Sequence, residues 1–190
     1  MSQAGATSKG AARRAQILDA ATAILVDEGQ GQLTLRSVAD RVGIRLSNVQ
    51  YYFKTRDTLV AALLEHYLNG TLQRLSAPLS VLTLPEVVRR VLDEQCDRPA
   101  SKFFAELWSL AGHSPQIEAA VRAFYRTYES LVAQQLQASR PDLPPAELAA
   151  RARVFVMLLE GASLFRAGVA ADPDAPSDAL LYEVATGLLA

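Results

Sequence analysis

The chain has 190 residues, half of them hydrophobic, with 19 lysines and arginines against 20 aspartates and glutamates. That is enough to bury a sizeable core, while a net charge of −1 gives no bulk attraction to nucleic acid, membrane or acidic substrate. The single cysteine, Cys96, excludes an intrachain disulfide, and no apolar run approaches the ~20 residues of a membrane span.

Taken in order, residues 1–10 are rich in Ser, Ala, Gly and basic side chains. They lack the apolar centre of a signal peptide and have little to bury, so a disordered basic tail on a cytoplasmic chain is expected. Apolar spacing then predicts an all-α chain of about nine helices. The first runs from about Ala11 to Glu28 on a stripe of Ile17, Leu18, Ala21 and Leu25, and Gly29 is placed to stop it. Thr34 is placed to cap a helix over Leu35–Val42 that Gly43 ends, and a short helix follows over Leu46–Phe53. Thr55 is placed to cap a long helix from Arg56 to about Leu75, with Pro78 beyond its end.

Thr83-Leu84-Pro85-Glu86 reads as a capping box that opens a helix to about Asp97. Pro99 opens the next, ended by Gly112, and Ser114-Pro115 opens one to about Ser139. "SRPDLPP" is a loop, an eighth helix runs on to about Ala170, and after "DPDAPS" Ser177 is placed to cap the last. No segment alternates like a strand.

Charge is uneven along this string. Residues 1–60 carry eight cations and five acids, and the remainder eleven and fifteen. That pattern is a cationic head on an acidic body. In the head, the two short helices flank Gly43 as in a helix-turn-helix, whose second helix can enter the DNA major groove. At 100° per residue Val49 and Phe53, with Leu46 beside them, face a small core. Ser47, Asn48 and Tyr51 point away, and Gln50 and Tyr52 lie on the flanks. The outward arc thus offers hydroxyls and amides to base edges and phosphates, with Arg45 just before it and Lys54 and Arg56 just after. A helical hairpin with a solvated polar face is the plainer alternative on this physics alone.

The order Thr-Leu-Arg-x-Val-Ala-x-x-Val-Gly-Ile, a short helix ending Tyr-Tyr-Phe, then Lys-Thr-Arg-Asp-x-Leu resembles the TetR family of bacterial transcriptional regulators over residues 11–65. The resemblance implies a DNA-binding head at 11–55 and an effector-binding and dimerisation body at 56–190. It implies a homodimeric repressor, released from a palindromic double-stranded operator by a small-molecule effector. Carried onto matching positions, Arg45, Leu46, Ser47, Asn48, Gln50 and Tyr51 occupy the region that meets bases. Thr34, Arg36, Tyr52, Lys54 and Arg56 occupy the places that touch phosphates. Arg45 and Leu46 depart from the polar helix start common in the family and leave that cap unassigned. Gln50 stands where tyrosine is frequent, and glutamine can pair at two points with adenine.

The body offers less specific signals. "SKFFAELWSLAG" has apolar residues on two sides, and Phe104 and Trp108, with Tyr125 and His113, are candidate walls of an effector pocket. Ordinary core packing, and for His113 an exposed loop, are the alternatives. Cys96 reads as a small packed side chain. The eighth helix is apolar over most of its circumference, which suggests that it meets a second chain. Val154, Leu158, Gly161, Ala162 and Phe165, with Leu181, Val184 and Leu188 of the last helix, are the candidate dimer residues of a four-helix interface. No zinc-protease, phosphate-loop or metal-ligand spacing occurs, so an enzyme, a metal and a cofactor are not expected. An enzyme and a purely structural helical adaptor remain the alternatives to a regulator.

Overall fold

In a computed structural model, which describes residues 3–76, 84–94 and 98–190, every regular element is helical. The order is α1 (Gln3–Glu28), a 3₁₀ turn (Gln30–Gln32), α2 (Leu35–Val42), α3 (Leu46–Tyr52), α4 (Arg56–Ser76), α5 (Leu84–Glu94), α6 (Arg98–Ala111), α7 (Pro115–Ser139), α8 (Pro145–Arg166) and α9 (Ala175–Leu189). Thr83, Pro78 and Cys96 lie outside the described residues. Among the described residues no helix is long and apolar enough to cross a membrane.

Local chemistry sets most of these ends. Gly29 and Gly43 hold φ of 81° and 72°, the left-handed region that stops a helix at low cost in glycine. Thr34 caps α2 reciprocally: the Ser37 N–H donates to Thr34 Oγ1 at 3.0 Å, and the Thr34 N–H donates to Ser37 Oγ at 3.0 Å. Thr55 and Thr58 repeat the exchange at the start of α4, each bond 3.1 Å long.

Three ends differ from expectation. α1 begins at Gln3, over the stretch read as a basic tail, because Ala4, Ala6, Ala11 and Ala12 carry little helix penalty. α8 ends at Arg166 rather than Ala170, because Gly168 turns left-handed (φ 67°) and the Val169 N–H closes back on the Leu164 carbonyl at 3.0 Å. The cap of α9 is Asp174, not Ser177. The Asp174 carboxylate accepts from the Ser177 N–H at 3.1 Å, and Pro176 takes its favoured place in the first turn.

The chain forms two units, Met1–Thr71 with Lys102–Arg122, and Leu72–Ser101 with Ala123–Ala190. This differs from the expected break after residue 55. In the first unit the helix-turn-helix shares its core with α4 and α6: Ile17, Leu18, Leu25, Val38, Val49, Leu59, Leu63, Phe103 and Leu107 are all buried. Polar bonds fix the same join. The Gln30 N–H donates to Glu106 at 3.0 Å, Gln30 Nε2 donates to Ser109 Oγ at 2.8 Å, and the Ser114 hydroxyl donates to Asp57 at 2.6 Å.

The second unit is built on Val88, Leu92, Leu136, Leu148, Phe155, Leu159, Ala185 and Leu189. Arg166 locks it at one end. Its guanidinium, 11% exposed, donates to the Leu92 carbonyl and to the Asp178 carboxylate, with Asp93 at 3.8 Å. One side chain thereby ties the end of α8 to α5 and α9, charge-assisted and largely out of water.

Candidate nucleic-acid interface and effector unit

The seven residues of α3 divide by face. Val49 is fully buried and Phe53, just past the helix, is 3% exposed, so the i, i+4 pair anchors α3 on the head. On the other side Arg45, Ser47, Asn48, Gln50 and Tyr51 are exposed, and Tyr51 keeps 76% of its surface in water. An exposed tyrosine of that size has no packing reason to stand there. Leu46 is half-buried, at the edge between the two faces. Arg45 precedes the helix with no side-chain capping bond, which leaves its guanidinium projecting.

The candidate phosphate residues frame this face. Arg36 and Lys54 are exposed, as is Thr34, whose hydroxyl already serves the α2 cap. Tyr52 is half-buried, its ring edge-to-face with Tyr51 at 5.1 Å. Arg56 is half-buried and donates to the Gln30 carbonyl at 2.5 Å. That bond braces the turn after α1 through one nitrogen of the guanidinium.

Charge is distributed accordingly. Arg14 pairs with Glu65 at 3.5 Å and Arg41 with Glu28 at 3.0 Å. Lys9, Arg13, Arg36, Arg45 and Lys54 are exposed and, among the described residues, make no ion pair. The cationic excess read from the sequence is thus concentrated in side chains that no acid neutralises. Two of them, Lys9 and Arg13, were not singled out by the sequence. With Gln16 they line a groove of about 910 Å³ between the start of α1 and Asn48, Tyr51 and Tyr52 of α3. Their signal was present as a basic segment, but its place beside α3 depends on α1 extending to Gln3.

The candidate effector residues are divided between the two units. In the first unit Phe104 and Trp108 join an aromatic cluster, with Phe104 6.2 Å from Trp108 and 5.1 Å from Tyr67. His113 sits exposed in the turn after α6. Tyr125 belongs to the second unit, where its hydroxyl bonds the Glu160 carboxylate. Burial pushes the Glu160 carboxyl up to about 7, and the Tyr125 bond offsets this in part. Glu160 was also missed from sequence, though it is the one charged residue in the twelve-residue run Val154–Phe165. No group of side chains among the described residues has the makings of a metal site.

The candidate dimer residues lie on α8 and α9. Val154, Phe165 and Val184 are about half exposed, and Gly161 is exposed. Leu158 and Leu181 pack partly against the unit's own core, while Ala162 and Leu188 are half-buried. Met157 and Leu180, on the same two helices, are each 61% exposed. The inner stripe, Phe155 and Leu159, is the core of the unit itself.

Comparison with known proteins agrees with this geometry. Residues 17–63 match the family described as bacterial regulatory proteins, tetR family, and residues 83–190 match the BetI-type transcriptional repressor C-terminal region. An HTH-type transcriptional regulator from the dhlA 5′ region of Xanthobacter autotrophicus is 31% identical over 133 residues, 66% of either chain. The regulator BetI of Burkholderia thailandensis is 30% identical over 157 residues, 78% of either chain. Among solved structures, the multidrug-binding protein EbrR in complex with ethidium superposes with a TM-score of 0.70 at 26% identity, covering 93% of this chain and 98% of that one.

Proposed function

This chain belongs to the TetR family of bacterial regulatory proteins, with a BetI-type C-terminal region and no enzymatic activity expected of it, and on that basis we propose a homodimeric repressor that leaves a palindromic operator when a small molecule binds its body. The observation that carries the reading is the outward face of α3, where Ser47, Asn48, Gln50 and Tyr51 stand exposed beside unpaired cations. In a plain helical adaptor such a face would simply be solvated. Against DNA it supplies base-edge donors and acceptors and phosphate-neutralising charge. That EbrR is a multidrug-binding protein that takes ethidium supports a small-molecule effector here. The exposed apolar faces of α8 and α9 support pairing of two chains through Val154, Leu158, Gly161, Ala162, Phe165, Leu181, Val184 and Leu188, with Met157 and Leu180 beside them. Two heads on a two-fold axis would then read half-sites about one helical turn, ~34 Å, apart.

Gel retardation with the DNA upstream of the chain's own gene tests the reading. Salt-sensitive, sequence-selective retardation is expected, and retardation that ignores sequence would remove it. Two variants resolve the roles within the head. Lys54→Ala weakens binding about equally on all sequences and lowers the slope of log affinity against log salt by roughly one. A loss confined to one base position would take Lys54 out of the phosphate set. Gln50→Ala, titrated against an operator library, relaxes preference at one position by about 1–3 kcal/mol. An unchanged base profile would take Gln50 out of the reading set.

A further inference from the structure

Ahead of its buried stripe, α1 carries a polar one. Lys9, Arg13 and Gln16 follow at i, i+4 and i+7, so they share one side of the helix, and all three are exposed. Arg13 donates to the Gln16 side-chain carbonyl at 2.7 Å, a neutral partner that steadies the guanidinium and leaves its charge uncompensated. The neighbouring arginine is held differently. Arg14 pairs with Glu65 at 3.5 Å, and its guanidinium carbon lies 5.5 Å from the centre of the Phe53 ring, so it is tied to the head's own body. Helix starts ordinarily gather acids, yet the first eighteen residues hold three cations and no acid. The stability of α1 alone gives no reason for Lys9 and Arg13.

The stripe lines an open groove of about 910 Å³ whose other wall is Asn48, Tyr51 and Tyr52 of α3. No aspartate or glutamate lines it. At Gly10 α1 passes close to that wall, since a Cβ built there would stand 4.0 Å from the Tyr52 hydroxyl. The groove is therefore continuous with the outward face of α3, and it shares Tyr52, the residue that the family resemblance places at a phosphate. Lys9 and Arg13 are one helical turn apart, ~6 Å along the axis, a step comparable with that between neighbouring phosphates of one strand. Two uncompensated cations on one wall and an amide and hydroxyls on the other suit a polyanion that also offers sugar and base edges.

We propose that the groove between α1 and α3 seats one sugar-phosphate strand of the operator, and that Lys9 and Arg13 neutralise its phosphates from the α1 wall. This rests on the operator-binding reading and adds to it a contact carried by α1, outside the helix-turn-helix. The contact carries no sequence information of its own. It contributes affinity that falls with salt, and it fixes the register in which α3 meets its bases.

The test compares the native full-length chain with two double variants, Lys9→Ala with Arg13→Ala, and the charge-preserving Lys9→Arg with Arg13→Lys. Alanine is favoured at exposed helical positions, so an unchanged helical content by circular dichroism is expected of both. Gel retardation over a range of salt concentrations is expected to show the alanine pair weakening operator and unrelated duplex by a common factor, on the order of tenfold or more. The slope of log affinity against log salt should fall by roughly two for each head bound, and the charge-preserving pair should keep it. Ethylation interference on the operator locates the contact: phosphates whose ethylation blocks the native chain should become indifferent in the alanine pair. An unchanged salt slope would overturn the assignment. A lowered slope with an unchanged interference pattern would also overturn it, leaving the two cations a long-range field only. A loss confined to one base position would overturn it in favour of base reading by α1. In each of these cases the native chain still retards its operator and the regulator reading stands, whereas a native chain that retards no DNA would strike that reading and this assignment together.

Discussion

Gly161→Glu gives a chain that sediments as a monomer, keeps its helical content and loses operator affinity by roughly 10²–10⁴-fold. In a single chain the substitution is harmless. Gly161 is exposed, a Cβ built there meets nothing within 4 Å, and glutamate is the better helix former. Its cost arises only where a second backbone packs on the glycine, which would bury an unpaired carboxylate at several kcal/mol. The loss on DNA follows from the loss of the second head, since two linked half-site contacts bind far more tightly than one. Sedimentation velocity and gel retardation on the same preparation read both effects. A Gly161→Glu chain that stays dimeric and binds normally would move the interface off this face of α8, whatever the exposure of Val154, Met157 and Phe165.

The head was legible from sequence because its signals are local. Thr34, Gly43 and Thr55 act on backbone within four residues of themselves, so their caps and stops follow from residue type alone. The two faces of α3 follow from helical period once Val49 and Phe53 are recognised as the anchor. The bond that Arg56 makes was not legible for the complementary reason. Its partner is the Gln30 carbonyl, 26 residues away, and nothing near Arg56 in the sequence announces it. Gly168 was passed over as a stop because the apolar residues on either side of it, Phe165 and Val169, kept the helical spacing going.

The body was less legible because burial there is set by neighbours distant in sequence. The eighth helix reads as apolar on two stripes, and sequence could not say which stripe the chain covers by itself. Phe155 and Leu159 prove to be the covered one. Glu160 shows the same limit from the other side. A lone acid in an apolar run is visible on reading, but its consequence depends on α7 placing Tyr125, and no cation, against it.

That burial makes Glu160 a measurable drain on stability above neutral pH. In the unfolded chain the carboxyl titrates near its ordinary 4.5, and in the folded chain near 7. Below both values it is protonated in either state and contributes nothing. Between them only the folded chain holds the proton, so the folded state binds more protons and stability falls as pH rises. Above 7 the folded chain carries a desolvated charge, and the loss has run its course at about 3 kcal/mol. Glu160→Gln cannot ionise and escapes this slope. Denaturant unfolding of the two proteins at equal chain concentration should therefore give a Glu160→Gln advantage that grows by about 2.5 kcal/mol from pH 5 to pH 8. Other carboxylates drop out of the difference. Asp142, for example, is held below its ordinary range by Arg140, and so acts at lower pH and equally in both proteins. Stability curves that run parallel across the window would mean that water or a cation already compensates the Glu160 charge in the unliganded chain, and an advantage that shrank with rising pH would mean that the folded state prefers the carboxylate ionised.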